Sequence, residues 1–115
     1  MTRHSAGTLL WARDPTGAHD DRPVVVLAHD THPFGSVDCT VMCLGTKDHY
    51  HYSYQPELER GTHYTGGISL PDTTYTMPWA LYTIAPGALD ESSSGQLTDA
   101  GETRLKKCLL SLFSV

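Results

Sequence analysis

A chain of 115 residues is the size of one domain, so residues 1–115 are read as a single unit with one core. Hydrophobic residues at 39%, charged residues at 18% and a mean hydropathy of −0.30 exclude both a disordered chain and a membrane-spanning one. Eight Lys and Arg against thirteen Asp and Glu leave a net charge of −5, which argues against a broad grip on nucleic acid through bulk positive charge.

The opening Met1-Thr2-Arg3-His4-Ser5 leads into no apolar signal core, so a cytoplasmic protein is expected. Thr8-Leu9-Leu10-Trp11-Ala12 reads as a strand that stops at the turn formers Asp14-Pro15-Thr16-Gly17. A polar loop, Ala18-His19-Asp20-Asp21, precedes Arg22-Pro23 and the run Val24-Val25-Val26-Leu27. That β-branched run has the pattern of a strand covered on both faces. Residues 29–36 form a turn-rich loop. Val37 to Leu44 is a third strand, ending at Gly45-Thr46-Lys47-Asp48.

The Tyr- and His-rich stretch 49–66 is expected to be a hairpin or a long excursion. A further strand runs from Tyr75 to Ile84. Pro78 inside it donates no ladder bond, so this strand lies at an edge or is bulged there. The end is helical: Leu105, Cys108, Leu109, Leu112 and Phe113 recur on one stripe, Thr98 caps the start, and Asp99 and Glu102 lie near the positive end of the helix dipole. Short strands followed by one helix predict a mainly β (α+β) chain, a small barrel or half-barrel of antiparallel strands with the helix packed on it.

Three cysteines are too few for a disulfide scaffold. They read as reduced, half-buried thiols, with Cys39 and Cys43 on the same face of a strand and about 13 Å apart, too far to bridge. Walker loops, dinucleotide fingerprints, HExxH and G-x-S-x-G are missing from the sequence, so no cofactor is expected. His49 and His51 share a strand face and His63 is a conceivable third metal ligand. Without a cysteine or closely spaced carboxylate, the stretch reads instead as polar aromatics facing solvent or a partner.

Asp20-Asp21-Arg22 reads in the simplest case as an exposed ion-paired loop. The position of Arg22 is more informative: it stands where a flexible loop meets a buried strand, and Thr46 with Lys47 stands at the end of the neighbouring one. A guanidinium and a hydroxyl converging at strand ends suit a phosphate oxyanion, which the guanidinium fork matches in shape.

Gly7-Thr8-Leu9-Leu10-Trp11, Asp14-Pro15-Thr16-Gly17 and Arg22-Pro23-Val24-Val25-Val26-Leu27 together resemble the opening of the MazF/PemK (Kid) toxin family. Cys43-Leu44-Gly45-Thr46 falls where that family has a strand ending in Pro-(Ile/Val)-Thr. Trp79 to Ile84 is similar to the segment before its last strand, and Gly95-Gln96-Leu97-Thr98 to its lead into the C-terminal helix. The likeness spans most of the chain, is weakest over 49–74, and is most specific at the Arg-Pro-Val-Val-Val-Leu block.

The resemblance implies an SH3-like small barrel of five to seven strands, acting as a homodimer. Its implied activity is that of the toxin of a type II toxin–antitoxin pair: a metal-independent endoribonuclease for single-stranded RNA, blocked by its cognate antitoxin. The substrate's own 2′-OH attacks the adjacent phosphorus, so DNA is spared, and neither DNA binding by the chain alone nor a membrane role is expected. By residue match Arg22 stabilises the phosphorane and helps proton transfer, and Thr46 holds the phosphate; Lys47 and His19 are candidate RNA-binding residues by their place in the chain, without a residue match. Where active members carry Asp-Gln, this chain has Trp79-Ala80-Leu81, with no carboxylate. Asp72 or His19 is a candidate replacement, and histidine has the better intrinsic titration range. The alternative is a catalytically degenerate barrel that binds RNA or peptide without cleaving it.

Overall fold

Continuous burial along the apolar runs determines the architecture. A computed structural model describes residues 4–28, 38–47 and 55–113. They form β1 (Thr8–Arg13), β2 (Asp21–Ala28), β3 (Cys39–Gly45), β4 (Glu57–Leu58), β5 (Tyr64–Gly66), β6 (Thr74–Ile84), β7 (Leu89–Leu97) and α1 (Asp99–Leu112). All strand pairs are antiparallel, in the order β4-β6-β3-β2-β1-β7-β5. The predicted loop at 29–36, the first residue of the third predicted strand and the positions of His49 and His51 lie outside the described residues.

Successive strand residues point to opposite faces, and here both faces are buried. Leu9, Val25, Met42 and Leu44 pack on one side with Leu58, Tyr64, Ile68 and Leu97, and with Leu105 and Cys108 of α1. Leu10, Val24, Val26, Val41 and Cys43 pack on the other side with Ala80 and Leu89. This is the two-sided cover expected of the continuous valine run.

The sheet curls into a nearly closed barrel for a reason of length. In a flat sheet β4 and β5 would stand about 29 Å apart, at about 4.8 Å per strand interval. Residues 59–63 join them, and the six chain steps from Leu58 to Tyr64 reach at most about 21 Å. The ends must therefore approach. Arg60 secures the closure, donating to the carbonyls of Gly66 and Ile68, with its guanidinium 5.0 Å from the centre of the Tyr64 ring.

Pro78 sits in a bulge. Cys43 pairs with Met77 while Met42 pairs with Leu81, so Pro78, Trp79 and Ala80 have no opposite residues. β4 pairs with β6 only at Thr74 and Tyr75, so at Pro78 the strand is bulged on its β3 side and has no strand partner among the described residues on the other. Thr98 caps α1, accepting from the Gly101 N–H at 3.1 Å and donating to Thr62 O at 2.7 Å. Two expectations need correcting. Phe113 falls past the last helical turn and is 89% exposed, so the apolar stripe ends at Leu112. The cysteines are fully buried rather than half-buried, and all three are free thiols.

Candidate active-site cleft

Arg22 is the second residue of β2, and its guanidinium is clamped from three directions. Nε donates to Asp14 Oδ1 at 3.0 Å, while Nη1 donates to Leu44 O at 3.0 Å and lies 3.3 Å from Met77 Sδ. The residue is only 9% exposed. Among the described residues no buried side-chain nitrogen or oxygen lacks a partner, so Nη2 is the corner of the fork that reaches solvent.

Gly45 makes this approach possible. A Cβ there would lie 2.9 Å from Met77 Sδ and 3.1 Å from Arg22 Nη1, both tighter than ordinary contact.

Asp14 is the anchor. Its Oδ1 accepts from the Thr16 N–H at 2.8 Å, the Thr16 hydroxyl at 2.7 Å and Arg22, and its Oδ2 accepts from the His19 N–H at 2.9 Å. Burial on its own pushes this carboxyl up. The hydrogen bonds from Thr16, Arg22 and the two backbone N–H groups outweigh that and hold it well below the usual carboxylate range. The simple sequence reading, an ion pair within Asp20-Asp21-Arg22, is thus replaced by a pair across the β1–β2 turn.

Asp14 reads in the sequence only as a turn former. The one available signal is that Asp-Pro-Thr-Gly can turn its carboxylate inward onto the turn's own N–H groups.

The Arg22 side chain forms part of the wall of a cleft of about 580 Å³. Thr46 and Lys47 reach it from the end of β3 and His19 from the β1–β2 loop, so with Arg22 all four sequence-selected residues line it, as does Thr16. Asp21 also lines it, whereas Asp20 and Asp72 do not. His19 is therefore the candidate replacement base that reaches the cleft. Trp11, Trp79 and Tyr82 add aromatic walls, with Trp79 43% exposed. Cys43 lies behind Arg22 and offers no nucleophile: burial pushes its thiol up to about 11, although the nearby guanidinium pulls the other way. A guanidinium corner, a hydroxyl, an ammonium and an imidazole around an open space can hold a phosphate and move protons beside it.

Of the histidine trio considered for metal, His63 is described and lies elsewhere, between Glu59 and α1. Among the described residues no group of three His, Cys, Asp or Glu side chains is placed to hold a metal ion.

No protein-family model matches the sequence, and no curated protein matches it. Solved structures do match in shape. The Mycobacterium tuberculosis toxin MazF-mt6 superposes with a TM-score of 0.69 at 16% identity, covering 93% of this chain and 96% of that one. An endoribonuclease in complex with its cognate antitoxin, from a mycobacterial species, gives 0.70 at 16% identity over 97% and 96%. A further solved structure, an endoribonuclease from a mycobacterial species, gives 0.68 at 15% identity over 100% and 95%. At such identities the likeness is one of fold, and this chain has the fold of the MazF toxins.

Proposed function

We propose that this chain is a toxin-type endoribonuclease that cuts single-stranded RNA without a metal ion and is held inactive by a cognate antitoxin. The observation that carries the reading is the meeting of Arg22, Thr46, Lys47 and His19 in one cleft, with Arg22 locked by Asp14. The fold shared with MazF-mt6 and with an endoribonuclease–antitoxin complex supports it. The aromatic walls favour a single strand over free phosphate, because unpaired bases stack on aromatic side chains.

In the mechanism, the ribose 2′-oxygen attacks the adjacent phosphorus and gives up its proton to a cleft base, for which His19 is the candidate. Charge gathers on the phosphorane oxygens, where Arg22 Nη2 and the Thr46 hydroxyl donate hydrogen bonds and Lys47 supplies a further cation. The P–O5′ bond then breaks, the 5′-oxygen takes up a proton, and a 2′,3′-cyclic phosphate remains. The clamp on Nε and Nη1 matters because a preorganised donor needs no reorganisation as the charge develops.

Two copies are proposed to pair. The exposed Leu81 on β6 and Leu110 on α1 are apolar surface that pairing would cover. A cytoplasmic location accords with the free thiols.

The test is Arg22→Ala against wild type on a single-stranded RNA in EDTA. Cutting should fall by about 100-fold or more, the scale for loss of one oxyanion donor. Unchanged cutting refutes the assignment of Arg22. The second reading, a barrel that binds RNA without cutting it, is favoured by one observation: the β6 bulge presents Trp79 where a carboxylate is wanted. Saturable RNA binding by the wild type with no cyclic-phosphate product establishes that reading instead.

A further inference from the structure

A second cleft, of about 540 Å³, lies between α1 and the segment that closes the barrel. Ala100, Thr103, Arg104, Lys107 and Cys108 form one wall, at the spacing of a single helix face, and Pro56 and His63 form the other.

His63 is 6% exposed, and its Nδ1 accepts the Glu59 N–H at 2.8 Å. That bond makes Nε2 the protonated nitrogen of the neutral ring. Nε2 has no hydrogen-bond partner among the described residues, and no fully buried side-chain nitrogen there goes unpaired, so Nε2–H opens into the cleft. Arg104 spends one N–H on Glu57 O at 2.7 Å and keeps the rest of its fork. Lys107 makes no ion pair among the described residues. Three donors, two of them cationic, thus border one space in a chain whose net charge is −5.

Glu57 and Glu59 also act on His63 but are not among the cleft-lining residues, and Arg104 acts on the ring more strongly than either.

We propose that this second cleft is a phosphate-binding site, formed by His63 Nε2–H, Arg104 and Lys107 and distinct from the one at Arg22. Phosphate is the class that fits, because a tetrahedral oxyanion presents several acceptors to converging donors and the guanidinium fork matches two of them. The group is either free phosphate or a phosphodiester of a longer RNA strand. The site does not depend on the nuclease reading.

The experiment titrates inorganic phosphate, then a short 2′-O-methyl oligoribonucleotide, then acetate, into the whole protein. His63 ring and α1 amide resonances are followed by NMR. Inorganic phosphate should give saturable shifts at His63 and Lys107. Lys107→Ala should weaken that binding about tenfold, the scale for one charge-assisted hydrogen bond. Lys107 is exposed on the helix, so the variant folds, and an unchanged Tm confirms it.

Thr46→Ala, at an exposed residue of the first cleft whose loss uncovers no buried charge, should leave the second-cleft binding intact, which separates failure here from failure of the nuclease reading. Tighter binding of the oligonucleotide than of inorganic phosphate at the same resonances identifies RNA as the source, and the reverse identifies free phosphate. Absence of saturable shifts with both, equal response to acetate, or indifference to Lys107→Ala overturns the proposal.

Discussion

At the scale of single residues, the pair to weigh is Asp14 and Arg22. Both side chains are largely withdrawn from water, and removing one partner of such a pair leaves the other charge buried and uncompensated. Asp14→Asn keeps the shape but turns an amide N–H₂ toward a donor. We expect it to cost about 3 kcal/mol of stability, measured by urea unfolding, and to free the Arg22 fork. An unchanged midpoint would mean that the clamp is not set by charge. Arg22 and Thr46 are legible from the sequence because a cation and a hydroxyl at strand ends form a recognisable phosphate pattern. Asp14 is not, since a turn aspartate looks the same whether its carboxylate points to solvent or into the fold.

At the scale of elements, Gly101 connects α1 to the barrel closure. A Cβ there would fall 2.0 Å from His63 O, a backbone atom that cannot swing aside. Glycine to alanine within a helix ordinarily stabilises by up to about 1 kcal/mol. Here the sign should reverse, to a loss of about 2 kcal/mol through overpacking, readable in the thermal midpoint. A gain would show that residues 59–63 are free to move off the helix. The strand β7 makes a related point. Its sequence, Leu-Asp-Glu-Ser-Ser-Ser-Gly-Gln-Leu, carries little intrinsic β-propensity and is not legible as a strand. It is extended because β1 and β5 offer ladder partners on both sides, with the β1 register shifting between Leu9 and Trp11.

At the scale of the molecule, two buried groups push the acid response in the same direction. His63 titrates below its ordinary value, chiefly because of burial and then Arg104, so its contribution is complete above about pH 6.5 and is lost as the pH falls below that. Asp14 is likewise depressed, and its contribution is lost as the pH falls through and below about 4. The Tm should therefore decline in two stages from pH 7 to pH 3, and Asp14→Asn should diminish the lower one, to which Asp90, lowered by its hydrogen bonds from Ser92, also contributes. A Tm flat across that range contradicts both assignments. Charge makes a further prediction. With Arg22 and Lys47 as the cleft's two cations, RNA affinity should fall with a log–log salt slope of only about −1.4, the single-strand value for two phosphates. A slope several times steeper would require the α1 cations to join the same footprint.

Sequence by itself determined the apolar runs, the Pro78 irregularity, the capped helix and the residue types suited to phosphate, because these follow from local sterics and side-chain periodicity. Tertiary structure alone decided that Arg22 is clamped by Asp14, that His19 rather than Asp72 reaches the cleft, and that His63 faces a second one. Those outcomes depend on which distant segments the curled sheet brings together. That curl is imposed by a five-residue connection between its two outermost strands, and no local pattern encodes it.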